Sequence, residues 1–311
     1  MTEITIGVDI SKDALDAHRL PEGVDRQFPN MGTGHKALVA WIGHDVERVV
    51  FEPTGPYHGA FERALADNGL PAVKVNPRHA HRFAEATGKL AKTDCLDAAL
   101  LAKMGALLQI APRPPRNETL TELRQLHLAH AALLKDRTAA KNRAKIIGLA
   151  LLKRQNTERM RQIERQLAAI DAEIERRIRA DAELSQRFDI LMSIPGVAQR
   201  TASTLLIEMP ELGCLEAKQA ASLSGLAPVT RQSGRWAGRA SIRGGRADVR
   251  QALYMPALAA MRFNPQLKTK YQDLIARGKP QKVTITAVMR KLIVLANALL
   301  KARRHWMTKY A

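Results

Sequence analysis

Four carboxylates stand at positions where a folded chain can gather them for chemistry. Asp9 closes the apolar run Ile4-Thr5-Ile6-Gly7-Val8, and Glu52 closes Val49-Val50-Phe51 just before a Pro-Thr-Gly-Pro turn. Asp94 and Asp97 open a helical stretch at i, i+3 spacing, which sets them one turn apart on one face. Strand C-termini and helix N-termini are where α/β folds collect functional groups. Four carboxylates converging on one pocket repel unless divalent cations compensate, and an oxygen-only set suits Mg²⁺ or Mn²⁺. Two such ions, about 3.5–4 Å apart, can stabilise both the attacking and the leaving oxygen of a phosphoryl transfer. Each acid also has a plain reading. Asp94 can be a helix N-cap and Asp97 a first-turn acid favoured by the helix dipole. Asp9 is harder to explain structurally, because Asp is depleted in strands. Asp13 and Asp16 compete with it, but they fall in the following turn and second strand and are expected to face solvent.

A second constellation lies further along. Gly225-Leu226-Ala227-Pro228 is followed by Ser233-Gly234, and six arginines (Arg231, Arg235, Arg239, Arg243, Arg246 and Arg250) fall within 231–250 against the single acid Asp248. The planar guanidinium fork matches phosphate oxygens, and the interleaved glycines let backbone approach a nucleic-acid strand. A serine among such donors could attack a phosphodiester, with the arginines stabilising the charge that develops. Alternatively the segment is a nucleic-acid-binding loop whose serine only hydrogen-bonds a phosphate. Ser241 is a rival nucleophile on the same physics, and Trp236 can stack on a base or serve a core.

Charge agrees with a polyanionic partner. The 311 residues carry 49 Lys and Arg against 30 Asp and Glu, a net +19 with a pI near 10.4. All of the excess lies late: residues 1–112 net −2, residues 113–311 net +21. Such a field draws phosphate backbones, with affinity that falls steeply as salt rises. At 46% apolar residues the chain is no disordered polyelectrolyte. Cys95 and Cys214 are too few for a disulfide framework or a cysteine zinc site. The most apolar stretch, 283–300, is interrupted by Arg290 and Lys291, which rules out a membrane span at the level of sequence. The opening residues lack the basic-then-apolar layout of a signal peptide, so a cytoplasmic protein is expected.

The elements that must position these groups read as follows. Strands are expected at 3–9, 14–20, after the 21–23 turn, at 48–52 and at 71–75, with helices at 36–42, 57–68, 77–86 and 94–108. Three leading strands followed by helix–strand alternation give an α/β layer with a mixed sheet, an order that fits a ribonuclease H-like fold. The proline-rich 111–116 marks a boundary. Beyond it, apolar or small residues recur at heptad-like spacing from Leu123 to Leu151 and, after a polar break near Gln155-Asn156, from Met160 to Ile178. Two long helices follow, as an antiparallel hairpin or a dimerising coiled coil, with His130 and Arg137 as imperfect seam positions. Next come Ile194-Pro195-Gly196-Val197 and 201–208, which look like the hairpin and second helix of a helix-hairpin-helix. Helices at 217–223, 249–261 and 284–302 complete the reading. The divisions are 1–112, 113–185 and 186–311.

Three segments resemble the Asp-Glu-Asp-Asp signature of the insertion sequence one-ten family of transposases: Gly7-Val8-Asp9-Ile10-Ser11-Lys12, Glu52-Pro53-Thr54-Gly55-Pro56-Tyr57, and Lys92-Thr93-Asp94-Cys95-Leu96-Asp97-Ala98. The later segments Ile194–Val197, Gly225-Leu226-x-Pro228, Ser233-Gly234 and 250–257 resemble it too, in order. The resemblance implies a RuvC-like N-terminal domain, a coiled-coil linker and a mostly α C-terminal transposase domain. It implies Mg²⁺ held by Asp9, Glu52, Asp94 and Asp97, and Ser233 as a nucleophile that becomes linked to a DNA phosphate. Its partners would be donor and target DNA, a non-coding bridge RNA that pairs with both, and further copies in a homodimer or homotetramer. The acids of one copy would meet the serine of another. Ala198 departs from the family at the hairpin, where relatives often have a second glycine. Two rival functions are a hydrolytic RuvC-like junction nuclease with no covalent step and a non-catalytic nucleic-acid-binding protein.

Overall fold

The structure is a computed structural model that describes residues 3–55, 57–88, 94–112, 118–230, 232–233, 236–238 and 240–307, and the backbone alone at 94–96, 236 and 237. The chain forms two compact units, Met1–Asn117 and Glu118–Ala311.

In the first unit the order is β1 (Ile4–Ile10), β2 (Ala14–Leu20), β3 (Val24–Pro29), α1 (Gly32–Ile42), β4 (Val46–Phe51), α2 (Gly59–Asp67), β5 (Ala72–Lys74), α3 (Pro77–Ala86) and α4 (Asp94–Leu108). The sheet order is β3-β2-β1-β4-β5. The first three strands are antiparallel, and β4 and β5 run parallel to β1. This is the expected mixed sheet of a RuvC-like domain. Local chemistry explains the boundaries. The β-branched and aromatic run Val49-Val50-Phe51 favours a strand. At α3 the Asn76 side chain accepts from the Arg78 N–H, and Pro77 occupies the first helical position, where no amide is needed.

The two sheet faces have different partners. On one face Ile6, Val8, Ile10, Leu15, Ala17, Val49 and Phe51 pack with Leu38, Ile42, Phe61 and Leu65 of α1 and α2. On the other, Thr5, Gly7 and Val50 meet α4. A Cβ at Gly7 would stand 2.0 Å from the Ala98 carbonyl oxygen and 2.4 Å from the Ala102 nitrogen, so helix backbone rests directly on strand backbone. Gly105 makes the reciprocal contact, with Val50 and Thr5 beneath it. Arg48, buried at 5% exposure, donates to the Gly105 carbonyl and to Glu3, fixing the far end of α4.

The second unit begins with α5 (Glu118–Ala144) and α6 (Ala150–Ala180), packed as an antiparallel hairpin. The hairpin turns at 145–149, not near 155–156 as the sequence suggests. Gly148, a poor helix residue, sits in the turn. Asn156 lies inside α6, where its amide donates to the Ala140 carbonyl across the hairpin, so its polarity links helices rather than breaking one. His130 is also accounted for: it is 4% exposed, accepts from Arg200 at Nδ1 and places Nε2 3.2 Å from Asp171. Burial and the Arg200 charge hold its pKa below the usual imidazole value.

Then follow α7 (Ala182–Met192), α8 (Gln199–Glu208), α9 (Ala217–Leu223), short strands β6 (Pro228–Val229), β7 (Gln232–Ser233), β8 (Trp236–Ala237) and β9 (Ser241–Ile242), and α10 (Ala247–Ala252), α11 (Tyr254–Phe263), α12 (Pro265–Ala276) and α13 (Gln281–Lys301). The stretch read as one helix over 249–261 is two, broken at Leu253, because Pro256 has no N–H to donate and so belongs in the first turn of a new helix. Helices α7 and α12 and all four short strands have no counterpart in the sequence reading. One core joins Leu123, Ile174 and Ile178 at the hairpin's base to Phe188, Leu205, Leu253 and Leu292. Helix α13 is, by length and composition, apolar enough to cross a membrane despite Arg290 and Lys291, so those charges are no sufficient exclusion. More than half of it is buried in this core, through residues such as Val288, Leu292 and Ile293.

The close contact at Gly7 gives a direct test. Gly7→Val must lift α4 off β1, a cost of about 1–3 kcal/mol on the scale of overpacked cores. Thermal unfolding of the variant is expected several degrees below that of the parent protein.

Candidate active site and nucleic-acid arm

The Gly7 contact determines where the acids go. Ala98 and Ala102 lie over Gly7 and Gly105 lies over Thr5, so α4 runs antiparallel to β1. Its N-terminal turn, which begins at Asp94 and carries Asp97 one turn on, therefore reaches the strand end that holds Asp9. Asp9 leaves the sheet on the α4 face, two residues beyond Gly7. Strand β4 pairs in parallel with β1, with Gly7 beside Val50 and Val8 beside Phe51. Continuing that alternation by one residue sets Glu52 next to Asp9 on the same face. Asp9, Glu52 and Asp97 are each half-buried.

The backbone thus brings all four expected acids to one end of one sheet face. Among the described residues, no three Asp, Glu, His or Cys side chains close into a metal-binding group, and the Asp94 side chain lies outside those residues. The donor chemistry fits a hard divalent cation: oxygen ligands only, partly withdrawn from water. Around this end, His58 follows the Glu52 turn, and its Nδ1–H donates to the Gly55 carbonyl. Burial, and next the Lys74 ammonium, hold its pKa below the usual imidazole value. One expectation is corrected. Asp16 does not face solvent: it is 5% exposed, and its Oδ1 accepts from Gln27 Nε2 at 2.9 Å. Sequence gives no sign of this, because the packing of α4 on β2 produces the burial. Asp13 is exposed as expected.

The Arg-rich segment is a β-ribbon rather than a loop. Pro228 and Val229 pair with Ile242 and Ser241, and further out Gln232 and Ser233 pair with Ala237 and Trp236. Ser233 is exposed on this arm, opposite Trp236; Gly234 and Arg235 lie outside the described residues. The arm is anchored by two crossing glycines. Gly225 and Gly245 both adopt left-handed backbone, φ +68° and +64°, and a Cβ on Gly245 would stand 2.2 Å from the Gly225 nitrogen. The Arg246 N–H donates to the Leu223 carbonyl beside this crossing.

The arginines divide by role. Arg231, Arg235 and Arg239 lie outside the described residues. Arg246 is half-buried: it donates to the Glu208 carbonyl at 2.5 Å and pairs with Glu211 at 2.5 Å. Arg250 lies against Gly225 and donates to the Gly244 carbonyl at 2.9 Å. Both hold the arm's root. Arg243 is exposed between that root and the ribbon.

The chain is similar to known transposases and recombinases. A transposase model of the Asp-Glu-Asp-Asp type of IS110 matches residues 6–149, and the model described as "Transposase IS116/IS110/IS902 family" matches residues 188–272. The chain is 29% identical over 98% of both lengths to a "Pilin gene-inverting protein" of Moraxella bovis, and equally to one of Moraxella lacunata. It is 33% identical over 130 residues to an "Insertion element IS110 uncharacterized 43.6 kDa protein" of Streptomyces coelicolor, covering 41% of this chain and 32% of that one. The chain belongs to the IS110 family, the insertion sequence one-ten transposases. It is an enzyme of the transposase and recombinase class.

Two substitutions separate the arginine roles. Arg246→Met is expected to lower the unfolding temperature by removing two contacts of the arm's root. Arg243→Met is expected to leave it unchanged while weakening DNA binding and reducing the slope of log affinity against log salt by about one. Thermal unfolding and salt-dependent binding titrations check both.

Proposed function

We propose that this transposase exchanges DNA strands through a covalent phosphoserine intermediate at Ser233, with a divalent cation, Mg²⁺ or Mn²⁺, held by Asp9, Glu52, Asp94 and Asp97. The observation that carries the reading is the delivery of Asp9, Glu52 and the first turn of α4 to one end of a single sheet face. In this scheme 1–112 is the acidic domain, 113–185 the coiled-coil linker and 186–311 the domain that presents the nucleophile. Bound at the acids, the cation supplies charge compensation for a phosphodiester brought against them.

Ser233 Oγ attacks the scissile phosphorus. An Oγ–P bond forms as a P–O bond to deoxyribose breaks, the serine proton passes to solvent, and the departing sugar oxygen takes up a proton to leave as a hydroxyl. A hydroxyl from the exchanged strand reverses the step and frees Ser233, so no high-energy cofactor is consumed. Exposure of Ser233 on a narrow ribbon supports access to a duplex, and Arg231, Arg235, Arg239 and Arg243 supply phosphate contacts along it. Arg246 and Arg250, which the sequence placed with them, act by holding the root. The acids of one copy and the serine of another, in a dimer or tetramer, act on the same phosphodiester, as the family resemblance implies.

Sequence choice is assigned to a non-coding bridge RNA that pairs with donor and target DNA, so that the chain itself reads backbone. The +21 balance of residues 113–311 supports such a partner. Sequencing RNA that copurifies with the protein tests this part: a single structured species is expected, and random cellular RNA contradicts it.

For the chemistry, the test is denaturing electrophoresis of protein incubated with substrate DNA, guide RNA and Mg²⁺. The parent protein is expected to yield a covalent protein–DNA adduct and Ser233→Ala none. Cutting without any adduct would instead favour the hydrolytic nuclease.

A further inference from the structure

Asp16 stands directly opposite Asp9 in the β1–β2 ladder, so the two side chains leave the same face of the sheet. That is the face on which α4 rests. Asp16 is as buried as a core residue, and its own ladder partner on β3, Gln27, donates to its Oδ1 at 2.9 Å. A purely structural reading makes Asp16 a link between β2 and β3. Two facts resist it. Like charges directly opposite on one face destabilise a sheet, and a buried carboxylate is costly unless its charge is compensated. One neutral amide does not supply a compensating charge, and among the described residues no Lys or Arg pairs with Asp16. A neutral Asn or Ser would join β2 to β3 through Gln27 at lower cost.

We propose that Asp16 is a positioning residue of the acidic end. Anchored by Gln27, it holds Asp9 in place and adds its charge to the field that retains the divalent cation, without touching the reacting atoms. The inference rests on the proposed role of Asp9 as a metal ligand, and it deepens that role by a fifth carboxylate that the family's four-acid signature does not contain.

The test uses the full-length protein without nucleic acid, with Mn²⁺ binding followed by calorimetry and unfolding followed with and without Mg²⁺. Asp16→Asn keeps the oxygen that accepts from Gln27 and removes only the charge. In chelator it is expected to unfold at or above the parent temperature, because a like-charge pair has been relieved. Its Mn²⁺ affinity is expected to fall about tenfold, the scale on which groups behind the ligands act, and its Mg²⁺-induced rise in unfolding temperature to shrink. The Mg²⁺ concentration needed for half-maximal DNA cleavage should rise by a similar factor, with the rate recovering at saturation. Gln27→Met, on the exposed edge strand, keeps the charge but releases its anchor, and should give a smaller loss of the same kind.

Asp9→Asn is the control that separates the two readings. If Asp9→Asn abolishes Mn²⁺ binding while Asp16→Asn and Gln27→Met both bind as the parent does, Asp16 is structural only and this inference is overturned while the metal site stands. If Asp9→Asn binds Mn²⁺ as the parent does, the metal site itself is wrong and the inference falls with it.

Discussion

The acidic end depends on a contact between two backbones. Gly7 has no side chain, so α4 lies on β1 at a distance no other residue permits, and on the helix side Gly105 makes room for the Val50 and Thr5 side chains. Because the helix is held this close, its direction and height are fixed, and its first turn must overhang the end of β1. Asp9 and Glu52 reach that end by strand alternation and pairing; Asp94 and Asp97 reach it only because the helix is pressed down. The apolar packing of the opposite face, around Phe51 and Phe61, leaves the α4 side free to carry polar groups. The α4 side has an apolar cluster of its own, Val50 and Val73 with Leu101 and Met104, so its acids gather at one end of the face.

The second unit follows a similar logic. An exposed ribbon of two-residue pairings has little stability of its own. It is held at the root, where Gly225 and Gly245 cross and Arg246 and Arg250 are spent on carbonyl oxygens and on Glu211. Arginine at the root thus fixes where Ser233 stands, while Arg243, between root and ribbon, faces solvent. The opposite charge balances of residues 1–112 and 113–311 fit the same split: a slightly acidic first part and a basic second part suited to phosphate.

Much of the first unit was legible because its signals are local. The 14–20 strand and the 77–86 and 94–108 helices fall where alternation, the Asn76-Pro77 start and apolar spacing put them. That Asp9, Glu52, Asp94 and Asp97 lie at element ends was legible from the local pattern. The burial of Asp16 was not, because a polar residue in a strand reads as solvent-facing until the helix on that face packs against β2. The ribbon was hidden for another reason: strands of two residues are too short for periodicity, and glycine and arginine there read as loop. Asn156 and Arg246 misled in the same way. Each is polar in sequence but committed to a carbonyl across the fold, a fact set by tertiary contact and not by spacing.

One end of the N-terminal sheet is proposed to hold a divalent cation. Anomalous diffraction at the manganese edge, from crystals of the full-length protein grown with Mn²⁺, tests it most directly. A peak is expected at ligand distance from Asp9 and from the first turn of α4. Manganese bound elsewhere, with that end empty at saturating concentration, would contradict it.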